Sequence, residues 1–192
     1  MKAGLLPEKP IDMRFIKLLL LSGVVFGTLI FLISLLFPST AIVERSGVID
    51  APISTVYSQI NDLSTWPSWN PWAAPDVAQK IEFSSPAAGE GAYYTWSGMH
   101  HERPVSGKVT ISKSNTGKEL VYALDFSSMK PMTGTFEIKP SADGNATAIQ
   151  WRVETKLGML PWWKLRGFLA DKLTGPQLES GLTKLKNICE KK

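Results

Sequence analysis

The sequence predicts an α+β domain with a curved antiparallel sheet, attached to one N-terminal transmembrane helix. Three observations lead to this prediction: an uncharged apolar run at residues 18–37, segments of alternating hydrophobicity over residues 72–155, and leucines at helical spacing near the C-terminus. Strands grouped before a helix, rather than alternating with helices, are typical of α+β folds. With 192 residues, of which 44% are hydrophobic, the chain is long enough for one domain with a substantial core.

The apolar run is predicted to cross a membrane as a helix. It holds no charged residue from position 18 to position 37, and a helix of that length spans about 30 Å of hydrocarbon. Basic residues are concentrated in the tail of residues 1–17, whereas only Arg45 follows the run closely. The positive-inside rule therefore places the tail in the cytoplasm and residues 41–192 on the extracytoplasmic, periplasmic side of an inner membrane. A signal peptide cleaved after Ser39-Thr-Ala41 is the alternative, although signal peptides have shorter apolar cores.

The domain is predicted to begin with a strand and two short helices. Residues 42–49 are strand-like, and Pro52 fits the first turn of a helix because its fixed φ suits that position and its missing N–H is not needed there. The apolar residues that follow recur at helical spacing and form one buried face: Ile53, Val56, Tyr57 and Ile60. Asp62 is placed to cap a second short helix that includes Trp66, before Pro67 and Pro71 end regular structure.

Six further strands are predicted after these helices. Turn residues such as Pro86, Gly117 and Gly144 separate them. The predicted strands are residues 80–84, 91–98, 105–114, 119–127, 132–140 and 147–155. Together with residues 42–49 they make a sheet of seven strands, whose period-two alternation gives it one apolar, concave face.

The C-terminal segment is predicted to fill this concave face as an amphipathic helix. Four apolar residues recur at helical spacing: Leu178, Leu182, Leu185 and Ile188. Because proline lacks the N–H that a continuous helix needs, Gly175-Pro176 is predicted to separate this helix from a shorter one over residues 162–173.

Four short motifs resemble the polyketide cyclase/dehydrase-like branch of the START-related, birch-pollen-allergen-like superfamily, the SRPBCC proteins. They are Ile49-Asp-Ala-Pro52, Asp62-Leu-x-x-Trp66, Trp69-Asn-Pro-Trp72 and Gly181-Leu-x-x-Leu-Lys186. The resemblance covers residues 41–192 and implies a helix-grip fold, in which the sheet wraps around the long C-terminal helix and encloses a cavity. It specifies the fold more closely than an activity, because related scaffolds serve unrelated functions.

Aromatic residues on the concave face are the candidate lining of that cavity, because ligand pockets are mostly apolar and aromatic. The candidate ligand-binding residues are Tyr94, Trp96, Tyr122, Phe126, Phe136 and Trp151 from the strands and Leu182 from the helix. The alternative interpretation is that these side chains only fill the core. The leading functional prediction is membrane-anchored binding of an apolar small molecule or lipid. Two alternatives stay open: a cyclase-, dehydratase- or hydrolase-like enzyme that uses the same cavity, and an envelope protein-interaction module without a ligand.

A second candidate site lies just before the C-terminal helix. Trp162, Trp163, Lys164 and Arg166 combine aromatic and basic groups, as segments at a membrane interface do. A buried core helix is the alternative interpretation. If residues 18–37 hold the domain near the bilayer, this segment is predicted to border the entrance for a lipid-like ligand.

Other classes of function have little support in the sequence. The formal net charge is +4, and residues 1–37 contribute half of it with four basic and two acidic residues, so no basic stripe for nucleic acid remains. Cys189 is the single cysteine, which leaves no disulfide and no cysteine-based metal site within the chain. His100-His101-Glu102 is interpreted as a solvated hairpin loop, because neighbouring side chains on an extended segment point apart. No metal and no cofactor is predicted.

The sequence shows no catalytic constellation. Asp125, Arg152 and Glu154 are charged residues within apolar strands, but the alternation assigns them to the outer, solvated face. No phosphate-binding loop and no nucleophile elbow is recognisable. The catalytic residues of an enzyme alternative therefore stay unknown, as does the oligomeric state.

Overall fold

In the computed structural model, residues 13–73, 78–127, 130–158 and 161–191 are described. The side chains of His100, Trp163 and Arg166, and most of the predicted tail of residues 1–17, lie outside this description. The elements in chain order are α1 (Met13–Ser34), β1 (Thr40–Ile49), α2 (Ile53–Asn61), a 3₁₀ helix (Leu63–Ser68), β2 (Ala78–Phe83), β3 (Tyr93–His100), β4 (Arg103–Asn115), β5 (Glu119–Phe126), β6 (Met132–Pro140), β7 (Thr147–Lys156) and α3 (Pro161–Cys189).

The seven strands form one antiparallel sheet in the order β1-β7-β6-β5-β4-β3-β2. This confirms the predicted α+β class, the strand number and the long C-terminal helix. β3 and β4 are longer at their shared turn than predicted, since only His101 and Glu102, with φ of 46° and 63°, separate them. The sequence-based interpretation of this segment as a hairpin loop is therefore confirmed.

Two short helices follow β1, as the sequence predicts. α2 buries Val56, Tyr57 and Ile60 on one face. The Asp62 carboxylate then accepts a hydrogen bond from the backbone N–H of Ser64 at 2.9 Å, which caps the 3₁₀ helix. These two short helices cover the end of the sheet at which β1 stops.

α3 is one helix from Pro161 to Cys189 with Pro176 inside it, so the predicted break at Gly175-Pro176 is wrong. Arg45 of β1 bridges the two halves of this helix. Its guanidinium lies where a Cβ on Gly175 would be, and it donates to the carboxylates of Asp171 at 2.8 Å and Glu179 at 2.6 Å. The two acids flank Gly175 by one helical turn on each side, so the arginine holds both halves of the helix together. The same hydrogen bond lowers the pKa of Asp171.

α1 is apolar along most of its length after Arg14 and Lys17, and it has no buried side chain before Ser34. In the described part of the chain, it is the helix that is long and apolar enough to cross a bilayer. It begins earlier than the predicted span of residues 18–37, and the last three residues of that span form tight turns with i to i−3 backbone hydrogen bonds. The chain then enters β1 within a few residues.

Candidate functional site

An aromatic cluster fills the inner part of the concave face. Trp66 of the 3₁₀ helix lies at its centre, with ring centroids 4.8 Å from Tyr122, 6.1 Å from Phe136 and 6.4 Å from Tyr94. Trp151 continues the cluster at 4.9 Å from Phe136. All five side chains are fully buried. Four of the predicted lining residues therefore pack against one another and against Trp66, which the sequence analysis did not include among the lining candidates.

Three glycines make room for aromatic rings on the concave face. Trp96 lies over Gly107, its cross-strand partner, and a Cβ there would be 2.5 Å from the indole nitrogen. Tyr122 lies over its partner Gly134 in the same way, and Trp151 lies against Gly181 of α3, where a Cβ would be 2.6 Å from the ring. Real Cβ contacts are almost never this short, so each ring occupies the space of a missing side chain.

Among the described inward side chains of β4, β5 and β6, burial falls from the α2 end of the sheet toward the opposite end. On β4, β5 and β6, the inward side chains Val109, Leu124 and Phe136 are fully buried, whereas those nearest the opposite end are only partly buried. These partly buried apolar residues are Val105, Phe126 and Met132, together with Ile81 of β2. We call this end, defined by these four residues, the open end of the sheet.

The predicted lining residues divide between these two regions. Trp96 and Phe126 face each other at the open end, with ring centroids 6.1 Å apart. Tyr94, Tyr122, Phe136 and Trp151 lie deeper, in the aromatic cluster. Leu182 is buried from the α3 side. The structure thus brings all seven candidates to one face, but leaves only two of them beside the opening.

The register of the sheet places the open end beside α1. Ala41, close after α1, pairs with Thr155, and Thr155 pairs with Met132 of the open end. Farther across the sheet, Phe126 pairs with Gly107. The strand ends that form the opening therefore lie at the same end of the sheet at which the chain enters β1 from α1.

Lys164 fixes α1 to the beginning of α3. This lysine is buried, and its ammonium donates to the backbone carbonyls of Ser34 at 2.7 Å and Phe37 at 3.0 Å. Carbonyls at a helix C-terminus carry partial negative charge, so a cation is favoured there. The N–H of Leu157 adds a bond to the carbonyl of Ser39 at 2.7 Å. An apolar cleft of about 230 Å³, lined in part by Ala41, lies at this junction.

Replacing Lys164 with methionine is expected to lower the free energy of unfolding by about 2 kcal/mol, because two carbonyls lose a charged donor. The measurement is thermal unfolding of the full chain in lipid nanodiscs. Lys172→Met is the control, since Lys172 is exposed on the same helix and should change stability little. Equal stability of the two variants would show that the Lys164 contacts do not hold the junction.

The predicted membrane-interface segment is only partly described. Trp162 is 59% exposed, whereas Lys164 is buried and its ammonium binds backbone carbonyls at the end of α1. Leu169 and Leu173, which lie on the same helix face as Trp162, are exposed as well. The first half of α3 therefore presents an apolar stripe near the end of α1.

Several buried donors in and beside the concave face lack a partner among the described residues. They are the indole nitrogens of Trp69 and Trp96, the side-chain amide nitrogen of Asn70 and the hydroxyl of Tyr94. By contrast, the indole of Trp151 donates to the Tyr122 hydroxyl at 2.7 Å. Burial raises the pKa of both Tyr94 and Tyr122 far above neutrality, so these phenols stay protonated.

The remaining candidate groups lie away from this site. Asp125 is exposed, and Arg152 pairs with Glu154 at 2.8 Å, in agreement with the predicted outer face. Within the described ranges, no group of three His, Cys, Asp or Glu side chains is arranged to hold a metal. Burial raises the pKa of the half-buried Cys189 to about 11, so its thiol is not ionised at neutral pH.

A groove of about 550 Å³ lies beside the open end, where Trp96, Gly107 and Phe126 of the concave face line it together with residues of the outer face. Its lining includes Lys80 and Glu82, which pair with each other at 2.6 Å, and Lys108 and Asp125. The groove therefore reaches Trp96 and Phe126, two of the ligand-binding residues that the sequence predicts.

A family model described as polyketide cyclase / dehydrase and lipid transport matches residues 40–190. No curated protein matches the sequence of the chain.

Solved structures share the fold at low sequence identity. A START superfamily protein from Mycobacterium smegmatis aligns with a TM-score of 0.57 and 16% identity, over 78% of this chain and 97% of that chain. A protein of unknown function from Staphylococcus aureus gives 0.60 and 12%, over 79% and 94%. The Zhui aromatase/cyclase from Streptomyces sp. R1128 gives 0.54 and 12%, over 79% and 94%. At these identities the likeness establishes the fold and no shared activity.

Proposed function

Because this chain belongs to the polyketide cyclase / dehydrase and lipid transport family, we propose that it binds an apolar small molecule or lipid at the open end of its sheet. The main support for this proposal is that apolar side chains become less buried toward that end of the sheet. Val105, Phe126 and Met132 are partly exposed, although the residues behind them on the same strands are fully buried. A partly exposed apolar rim over a closed aromatic floor is suited to holding an apolar ligand.

In this proposal the ligand comes from the bilayer, because α1 holds the open end of the sheet close to it. The open end adjoins the junction at which Lys164 holds the end of α1. With α1 in the bilayer, the rim and the exposed Trp162 face the lipid surface. In this proposal the N-terminus is cytoplasmic, because Arg14 and Lys17 lie at the start of α1, and the domain lies on the extracytoplasmic side of the inner membrane.

Native mass spectrometry with lipid extraction tests the proposal. The full chain, released from nanodiscs, should carry a stoichiometric apolar passenger. Val105→Asp should lose at least about nine-tenths of it, because a carboxylate would enter the apolar rim. Val48→Asp is the matched control, since Val48 is an exposed residue of β1, and circular dichroism verifies both folds. Equal passenger in the two variants would contradict binding at the open end, because annular lipid on α1 is common to both.

An enzyme of the cyclase, dehydratase or hydrolase type remains the alternative use of the same site. Such chemistry needs an acid or base near the ligand. The phenols of Tyr94 and Tyr122 are titratable groups of the concave face, and their raised pKa makes them hydrogen-bond donors rather than bases at neutral pH. This observation favours binding. Turnover of an extracted ligand that is lost on Tyr94→Phe would favour the enzyme instead.

A further inference from the structure

One face of α3 changes from apolar to polar along the helix. Trp162, Leu169 and Leu173 follow one another at spacings of seven and four residues, so they lie on the same helix face. Their exposed fractions are 59%, 50% and 67%, and we call these three residues the apolar stripe. The same spacing continues to Ser180 and Lys184, which are also exposed. The outward face of α3 is therefore apolar in its first half and polar in its second half.

The described residues of the chain leave the apolar stripe uncovered. Asp171 lies on the opposite side of α3, where its carboxylate accepts a hydrogen bond from Arg45 of β1. The buried Leu178 lies on that opposite side as well. These contacts hold one side of α3 to the sheet, so the apolar stripe points away from the domain. Single exposed leucines are common on any protein, but a row of large apolar side chains on one helix face indicates an interaction surface.

Lys164 places the start of the apolar stripe at the end of α1. Its ammonium is bound by the carbonyls of Ser34 and Phe37, and Trp162 precedes it by only two residues. The three residues after α1, up to Phe37, are apolar and exposed, so a bilayer that holds α1 has its headgroups near this point. The apolar stripe therefore begins at the level where the chain leaves the lipid.

The length of the apolar stripe indicates how α3 lies relative to the bilayer. From Trp162 to Leu173 the helix rises by about 16 Å. If α3 stood upright on the membrane, Leu173 would lie that far out in water. If α3 lies flat, all three side chains reach the boundary of headgroups and acyl chains, in which amphipathic helices bury their apolar face by about 5–10 Å. Ser180 and Lys184 then mark the part of the helix that has left the lipid.

A second protein chain matches the apolar stripe less well than a bilayer does. A stable protein interface buries more than about 1,000 Å² of total surface. Three side chains in a single row, with polar residues beyond them, are too few to bury that area. A bilayer has no such minimum, because α1 already holds the domain at its surface and each apolar side chain adds to the burial.

We propose that the first half of α3 lies in the plane of the membrane interface, with Trp162, Leu169 and Leu173 in the lipid and the second half of the helix in water. This inference rests on the proposed function for the position of α1 in the bilayer. It goes beyond that function because it fixes the orientation of the domain, which rests on its α3 side. One helix across the bilayer and a second helix along its surface then hold the domain together.

Nitroxide labelling of the full chain in nanodiscs tests this orientation. Cys189→Ser removes the native thiol. In that background, Leu169→Cys and Leu173→Cys place the label on the apolar stripe, and Ser180→Cys and Lys184→Cys place it on the polar half of the same face. We expect the two stripe labels to collide more often with oxygen, which concentrates in lipid, than with a water-soluble nickel chelate. The two control labels should show the reverse.

Leu21→Cys, at an exposed position within α1, is the reference for a label in lipid. Because every labelled position is exposed, the labels should leave the fold intact. Stripe labels that collide mainly with nickel, while the Leu21→Cys label stays in lipid, would overturn this inference and leave the proposed function standing. Few collisions with either reagent at the stripe would mean that a protein chain covers it, which would also overturn the inference. A Leu21→Cys label that collides mainly with nickel would overturn the position of α1 on which the proposed function rests.

Discussion

Replacing Trp66 with alanine is expected to lower the free energy of unfolding by about 4 kcal/mol, a typical value for removing a buried aromatic side chain. Trp66 is fully buried, contacts Tyr122 and Phe136 in edge-on geometry and packs against the tilted ring of Trp69. Its indole also donates to the carbonyl of Ile60. Alanine would remove these contacts and leave a cavity that the neighbouring rings cannot fill without leaving their own positions.

The measurement is urea unfolding of the full chain in nanodiscs, followed by circular dichroism. Trp162→Ala is the matched control, because Trp162 is 59% exposed and the same substitution there should change stability by less than about 0.5 kcal/mol. If both tryptophan variants lost similar stability, Trp66 would not be the centre of the core.

Replacing Gly134 with alanine is expected to destabilise the protein by about 3 kcal/mol, although the substitution adds only one methyl group. The methyl group would occupy the position of the Tyr122 ring, which lies over this glycine. Tyr122 cannot move easily, because it stacks on Phe136 at 5.5 Å and accepts a hydrogen bond from Trp151. The added methyl group therefore disturbs three buried aromatic residues at once.

Gly47→Ala provides the comparison within the same sheet. A Cβ on Gly47 would meet no atom within 4 Å, so alanine there should be neutral or slightly stabilising, through the smaller entropy of the unfolded chain. Thermal unfolding of both variants decides the question. Similar midpoints for Gly134→Ala and Gly47→Ala would mean that Tyr122 does not depend on the missing side chain.

The strands and the short helices could be predicted from the sequence because their patterns are local. Alternation along β5 and β7 identifies the inward side chains without knowledge of their partners. Likewise, Pro52 and Asp62 mark helix starts through the chemistry of single residues. Local patterns of this kind do not depend on what packs against them.

The features that sequence reasoning missed involve residues far apart in the chain. Arg45 pairs with acids on both sides of Pro176 in α3, and Lys164 binds the end of α1, whose carbonyl acceptors lie about 130 positions earlier. The pairing of Tyr122 with Gly134 is visible only once the register of β5 and β6 is known. A glycine opposite an aromatic residue in a neighbouring strand is the signal that could have suggested these pairs.

The sequence predicted the face of the sheet on which the candidate residues lie, but not how far each residue lies from the opening. Seven residues were expected to line one cavity, and all seven lie on the inside of the sheet or on the helix that packs against it. Because Trp66 and Trp69 occupy the inner space, only Trp96 and Phe126 lie at the opening. Side-chain packing decides this division, and the spacing of apolar residues carries no information about it.

Photolabelling in lipid nanodiscs tests the central claim most directly, namely that the open end of the sheet takes up apolar molecules from the bilayer. The full chain is illuminated with a phosphatidylcholine that carries a diazirine at the end of one acyl chain, and labelled peptides are mapped by mass spectrometry. We predict label on Val105, Phe126 or Met132 of the open end as well as on α1, and loss of the former in Val105→Asp. Label confined to α1 in both proteins would contradict the account.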